Sequence, residues 1–409
     1  MTLRLQSANR DFTREVNLFN ILNSIRETGM ISRVEIADRT GQSRSSVTNI
    51  TALLIEQGLI CEKQSDATSS RGRRRIMLAL NPQAAYAVGV KIAAYHLSFA
   101  VVDFIGQVQS SLSIPFRVGD RSVDMLADVA EDGILHCLEN ARLKREALLG
   151  CGLAIPGFVD SASGTCYWSP IQDGGSNISE LLAERLKMDV YLENDANAFT
   201  VASQWFGLGK GIRNFLVVTI EEGVGMGIVV DGKLYQGATG IGAEFGHMVI
   251  EPDGEPCRCG KRGCIEAYAA DSGILQQAQK LLSKRRNAPD LDLIHIEEVT
   301  RMATEGDQGL RRIFQRSGES LAIGIAGLIQ IFNPERIIIT GEGVRAGDLV
   351  FKPMNRLLKK FVNKPQAGAT QIMVQDWNDH DWAQGAAGFV LSEIYKSPLN
   401  RIQNAGRNY

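Results

Sequence analysis

GAEFGHMVIEPDGEPCRCGKRGCIE, residues 242–266, holds three of the seven cysteines in a chain of 409 residues. Cys257, Cys259 and Cys264 crowd into a segment rich in glycine and proline. An odd cysteine total makes a poor disulfide framework in a reducing compartment, so a metal is the better explanation. A tetrahedral zinc site needs four nitrogen or sulfur ligands, and His247 completes the set if the loop turns at Asp253, Gly254, Gly260 and Gly263. With every position filled by protein, the expected ion is structural Zn2+, one per chain. Glu244 lies just before this clamp and Glu266 at its end, so the ion would fix two carboxylates relative to each other. Carboxylates accept paired hydrogen bonds from adjacent hydroxyls, and a monosaccharide is a ring of such hydroxyls.

A chain of this length suggests two or three domains with ample apolar content for cores. No segment reaches the roughly 20 consecutive apolar residues that span a bilayer, and the first residues lack the apolar run of a signal peptide. The expectation is a cytoplasmic protein without membrane insertion. Net charge is only -2, but residues 1–80 carry +4 and the remainder -6. A basic head on an acidic body points to a polyanion as partner of the head.

Three short helices are predicted in that head. Val16, Phe19, Leu22 and neighbouring apolar residues recur at helical spacing up to Gly29. Ser32 and Glu35 form a capping box for "SRVEIADRTG", and Ser43 caps "RSSVTNITALLIEQ". Two strands, "GLICEKQ" and "RIMLAL", then flank a basic loop, which gives a winged helix-turn-helix. Arg44, Ser45, Ser46, Thr48 and Asn49 lie on the outer face of the third helix, within reach of base edges and phosphates. Arg71, Arg73 and Arg74 in the loop suit phosphates or a narrow minor groove.

Beyond residue 81, strand-like runs such as "YAVGVKIAA", "HLSFAVVDF" and "NFLVVTI" alternate with helical stretches, which indicates an α/β body of two lobes. The segments "AIPGFVD" (154–160), "ENDANA" (193–198), "GVGMGIVVDGKLYQG" (223–237), "GAEFGHM" (242–248), "CRCGKRGCIE" (257–266) and "NPERIIITGEG" (333–343) resemble the ROK family of repressors, open reading frames and kinases. The resemblance covers almost the whole chain, head included, and implies an actin-like sugar-kinase fold for the body. It also implies sugar contacts at Asn194, Asp195, Glu244, His247 and Glu266, with Asp195 in the position of the kinase general base. Expected boundaries are 1–80 for the head, 81–193 for a small lobe completed by a C-terminal helix at 381–409, and 194–380 for a large lobe carrying the zinc loop and sugar site.

Kinases of the family carry an Asp-x-Gly-Gly-Thr turn on the first strand, where backbone N–H groups meet phosphate. Here residues 91–95 read Lys-Ile-Ala-Ala-Tyr, without the acid or either glycine. Gly223, Gly225 and Gly227 remain at a second turn, but Val224 stands where a threonine is usual. The expectation is therefore no enzyme activity, but a regulator of carbohydrate-utilisation genes that binds double-stranded operator DNA. A monosaccharide effector between the lobes would alter their closure, and so the spacing of two heads in a homodimer or dimer of dimers. Half-sites for such dimers lie about 34–36 Å apart or a multiple of that. Two alternatives stay open: an ATP-dependent sugar kinase with a regulatory head, and a regulator controlled by a phosphosugar or a partner protein. If the wing meets phosphates, replacing Arg73 and Arg74 with Ala should weaken binding to many DNA sequences alike and flatten its salt dependence. Anisotropy titrations across a salt series check this, and an unchanged slope would show that the loop does not touch DNA.

Overall fold

The computed structural model describes residues 10–64, 76–118, 122–161, 163–169, 178–285 and 293–394. The described part of the head contains helices Arg10–Thr28, Arg33–Thr40 and Arg44–Glu56, then strands Ile60–Gln64 and Ile76–Leu80 paired antiparallel. Both predicted caps form. Ser32 Oγ accepts from the Glu35 N–H while Glu35 reaches back to the Ser32 N–H at 2.9 Å, and Gly41 closes that helix with a φ of 67°. Ser43 Oγ accepts from the Ser46 N–H at 3.2 Å. Ile21, Ile25, Ile36, Val47, Leu54 and Leu78 are buried, so one small core holds the helices and the strand pair together. Arg33 ties the same elements from outside, donating to Thr51 Oγ1 and pairing with Glu62 at 2.8 Å.

The chain divides into two compact units, 1–154 with 177–191 and 386–409, and 155–176 with 192–385. The head belongs to the first, and the second includes the segment 155–176 that follows strand Leu148–Ile155. Each unit has a five-stranded sheet built on one plan. In the first, the order is Val108–Pro115, His96–Asp103, Tyr86–Ile92, Leu148–Ile155, Val190–Asn194, the last strand passing into the second unit at residue 192. In the second it is Lys233–Leu234, Val224–Val230, Phe215–Ile220, Arg336–Thr340, Gln371–Val374. The first three strands in chain order form an antiparallel meander, and the fourth lies parallel to the first. The central strands are continuous runs of Val, Ile, Leu and Ala because both faces are covered.

Close approach decides several positions. In the first unit, a Cβ on Gly152 would collide with the Ala386 carbonyl, so the C-terminal helix can lie on strand Leu148–Ile155 only if residue 152 has no side chain. In the second, the 25-residue helix Gln308–Phe332 runs from an Asp307 cap to Asn333 in the left-handed region, and packs against Asp348–Phe361. Its buried Phe314, Leu321 and Ile325 join Phe245 and Ile265 from the cysteine-bearing segment in one core. Full burial of each such side chain is worth roughly 1.5–3 kcal/mol. Because backbone cannot yield cheaply, Gly152→Ala should destabilise the protein by about 1–3 kcal/mol. Chemical denaturation of the full chain measures this, and a wild-type midpoint would refute the packing argument.

Candidate functional site

In the second unit, residues 247–265 fold back on themselves through short antiparallel bridges. Ile250 N–H donates to Gly263 O, Ile265 N–H to Met248 O and Cys257 N–H to Lys261 O. Val249 faces Cys264, and Pro256 faces Arg262. The turns require left-handed backbone at Asp253, Gly260 and Gly263, three of the four turning residues expected from sequence. This brings one ligand atom each of His247, Cys257, Cys259 and Cys264 to within 4.8 Å of one another. Cys259 Sγ and Cys264 Sγ are 3.8 Å apart, and His247 Nδ1 is 3.7 Å from Cys257 Sγ. Thiolates on a tetrahedral ion with bonds of about 2.3 Å would be separated by about 3.8 Å, so the donor set fits a metal of that geometry. Burial pushes the Cys257 and Cys264 thiols up, so holding them together as thiolates needs a compensating cation.

The loop is also anchored from below. Tyr268, fully buried, donates to Glu251 Oε2 at 2.7 Å and accepts from the Glu255 N–H at 2.8 Å, while Arg316 stacks over its ring. His247 turns Nδ1 toward the sulfurs and Nε2 toward Glu244, whose Oε2 is 4.0 Å away. One imidazole can therefore serve the ion with one nitrogen and a ligand with the other.

Asn194 is the N-cap of helix Asp195–Trp205: its Oδ1 accepts from the Asn197 N–H, and its Nδ2 donates to Gly157 O at 3.0 Å. Asp195, in the first helical turn, places its carboxylate where the helix dipole favours negative charge. Burial pushes the Glu244 carboxyl up to about 7, reinforced by the charges of Glu266 and then Asp195. Glu266 is buried, and its Oε2 accepts from the Val224 N–H at 3.2 Å. It thus supports the glycine turn as well as facing the site.

On the head, Arg44, Ser45, Thr48 and Asn49 are exposed on the third helix, and Ser46 is half-buried. Thr48 Oγ1 donates back to Arg44 O. Arg71, Arg73 and Arg74 lie outside the described residues.

The turns at 93–95 and 221–223 occupy equivalent places in the two repeated sheets, each joining first strand to second. At the former, Ala93 N–H donates to His96 O, closing a tight hairpin with no residue in the left-handed region. Lys91 is buried and Tyr95 exposed. At the latter, the glycines have packing reasons of their own. A Cβ on Gly225 would come within 2.7 Å of Thr219 Oγ1 and 3.0 Å of Ala196 Cβ, and one on Gly227 would collide with Thr200. Helix 195–205 and the neighbouring strand thus account for Gly225 and Gly227, whereas a Cβ on Gly223 would meet Glu266 Oε2 at 2.8 Å.

Sequence reasoning missed two groups around Asn194. Phe158 places its ring edge against His247, with centroids 6.3 Å apart, and packs on Trp168. Ser161 and Gln236 both donate to the buried Glu193. Phe158, Glu193 and Gln236 do lie inside the segments that carry the family resemblance, but nothing in those segments says that they meet one another.

A ROK family profile matches residues 87–393, and a winged helix-turn-helix DNA-binding profile matches residues 14–60. The chain belongs to the ROK family. This member is 30% identical over 388 residues to the DNA-binding transcriptional dual regulator NagC of Escherichia coli K12, covering 94% of each chain. It is 26% identical over 396 residues to the xylose repressor of Caldicellulosiruptor bescii, covering 95% of this chain and 99% of that one. Among solved structures, a ROK family transcriptional regulator described as a homologue of the Escherichia coli MLC protein shares its fold, with a TM-score of 0.78 at 24% identity over 94% and 97% of the two chains. A ROK family glucokinase from Streptomyces griseus, in complex with glucose and AMPPNP, shares the body's fold with a TM-score of 0.65 at 24% identity, over 75% of this chain and 99% of its own.

Proposed function

We propose that this protein is a transcriptional repressor of carbohydrate-utilisation genes, released from operator DNA by an unphosphorylated monosaccharide. The carrying observation is the coexistence, in one chain, of a capped winged helix-turn-helix and, in the second unit, a cluster of Asn194, Asp195, Glu244 and His247 about the cysteine loop. NagC and the xylose repressors, similar over nearly their full lengths, support it by name. The hairpin at 92–96 speaks against the kinase alternative, because residues 91–95 read Lys-Ile-Ala-Ala-Tyr and lack the acid and both glycines that let phosphate approach the backbone.

In this reading Asn194, Asp195, Glu244, His247 and Glu266 recognise the sugar. Asp195 and Glu244 accept from its hydroxyls, and His247 Nε2 adds a donor or acceptor. Glu266 contributes mainly by holding the Val224 turn and the cysteine loop in place. Arg44, Ser45, Ser46, Thr48 and Asn49 read the operator, with Arg71, Arg73 and Arg74 reaching the backbone. The working form is a homodimer or dimer of dimers, acting in the cytoplasm, where genes and sugar meet. No described helix is long and apolar enough to cross a membrane.

The ion at His247, Cys257, Cys259 and Cys264 is, on this proposal, Zn2+: three thiolates and one imidazole are a donor set that suits it, and the closed coordination makes it structural. Elemental analysis should find one zinc per chain. Cys259→Ser should lower metal content, melting temperature and sugar response together. Full metal content or an unaltered sugar response in the variant would contradict the assignment.

The sugar site is tested with Asp195→Asn, which keeps size and removes charge. A charge-assisted hydrogen bond of roughly 1.5–3 kcal/mol is lost, about ten- to a hundredfold in affinity. A thermal-shift series with D-xylose, N-acetylglucosamine, D-glucose and their phosphates first identifies the effector. Anisotropy on a duplex selected in vitro should then show wild-type DNA binding without sugar, and release only at far higher sugar concentration. Normal release would place the effector elsewhere. Equal loss of sugar-free DNA binding would make Asp195 a folding residue.

A further inference from the structure

Glu193 immediately precedes the Asn194–Asp195 turn, yet it points inward and is only 1% exposed. Oε1 accepts from the Asn194 N–H at 2.8 Å and from Asn197 Nδ2 at 3.1 Å. Oε2 accepts from Ser161 Oγ at 2.6 Å and from Gln236 Nε2 at 2.7 Å, and Gln236 Nε2 also reaches Ser161 Oγ. All four partners are neutral donors, and together they occupy both oxygens of the carboxyl group. Asn197 spends its amide here although its Oδ1, buried, has no partner among the described residues. Burial pushes this carboxyl up and its four hydrogen bonds pull it partly back down; a buried polar group so held is a costly way to fill space, and an apolar side chain would pack there more cheaply. Its four bonds therefore serve geometry.

Those bonds join three segments of the second unit. Ser161 follows strand Phe158–Asp160, whose Phe158 touches His247. Asn194 and Asn197 belong to the cap and first turn of the helix that carries Asp195. Gln236 opens the loop that runs to Glu244 and His247, and its carbonyl accepts from the Gly242 N–H at 3.0 Å. The same loop is pressed onto the Ser161 segment at Gly240, where a Cβ would come within 2.9 Å of Asp160 Cα.

We infer that Glu193 is the positioning residue of the sugar site, a buried acceptor that holds the Asn194–Asp195 turn and the loop leading to Glu244 and His247 at one spacing. This rests on the sugar-binding reading above. A ligand bridging Asp195 and Glu244 needs that spacing set beforehand, because every fraction of an ångström recovered on binding is taken from its affinity.

The polarity of the network supplies the test. Glu193→Gln can keep Oε1 as acceptor for Asn194 and Asn197, but sets its amide nitrogen against the Gln236 nitrogen. Gln236→Glu places two carboxylates in contact. In Glu193→Gln with Gln236→Glu, the amide of residue 193 donates to a carboxylate at 236, and the pairing is restored in reverse. Sugar affinity of the full chain is measured with D-xylose, N-acetylglucosamine and D-glucose, and backbone hydrogen exchange is followed over 194–198 and 236–247. Each single variant should bind the responsive sugar about tenfold or more weakly and exchange faster in both segments. The double variant should recover both properties. Wild-type affinity in both singles, or a double variant as impaired as its singles combined, overturns the proposal. If no sugar binds the wild-type chain, the sugar reading fails by itself and exchange judges Glu193. Joint loosening of both segments with recovery in the double variant upholds its positioning role, and loosening of one segment alone overturns it.

Discussion

Helix Asp195–Trp205 can occupy its place only because residues 225 and 227 have no side chains. Alanine at either position would drive into Thr219, Ala196 or Thr200, so the helix would have to lift from strand Val224–Val230. Lifting it would move its first turn, and with it Asn194 and Asp195. The position of the half-buried Asp195 carboxylate is therefore set by packing contacts at Ala196, next to it, and at Thr200, five residues further along the helix. This is a rigid way to place a functional group: interiors are packed too densely for a helix to shift without its neighbours shifting as well.

The opposite wall is built by a different principle. Residues 247–265 contribute some side chains to a core, but their path is fixed by backbone bridges, three left-handed residues and four converging ligands. Tyr268 and Arg316 bind this knuckle to the long helix Gln308–Phe332. Helix packing fixes one side, a coordination polyhedron suits the other, and the Glu193 hydrogen bonds run from the first toward the second. Each side is held by interactions with little tolerance for small displacements.

Much of this was legible in sequence because it is local. Ser32 with Glu35 and Ser43 before its helix announce caps that the structure forms. The spacing of Cys257, Cys259 and Cys264, with His247 ten residues before the first, announces a cluster for the same reason: one loop can close it. Glu193 opens the ENDANA segment, but its partners were illegible, since Ser161 and Gln236 lie 32 and 43 residues away. The glycines of 223–227 were visible but ambiguous, because a glycine required by close packing and one required by phosphate look alike in a string of letters. The repeated strand order of the two sheets also escaped the sequence, since their side chains share a pattern of burial and not an alphabet.

The hairpin at Ile92–His96 has a consequence for what such a protein can report. An enzyme on this fold binds its sugar next to a phosphoryl donor and releases something else, so its occupancy depends on turnover and on a second metabolite. Here the corresponding turn is closed by the Ala93–His96 hydrogen bond and Lys91 is buried; on the proposed reading such a body takes its sugar without a donor. On the proposed reading it gives its ligand back unaltered. Its state then follows the free concentration outside, as a gauge does, independent of the energy charge of the cell and without depleting the quantity it measures.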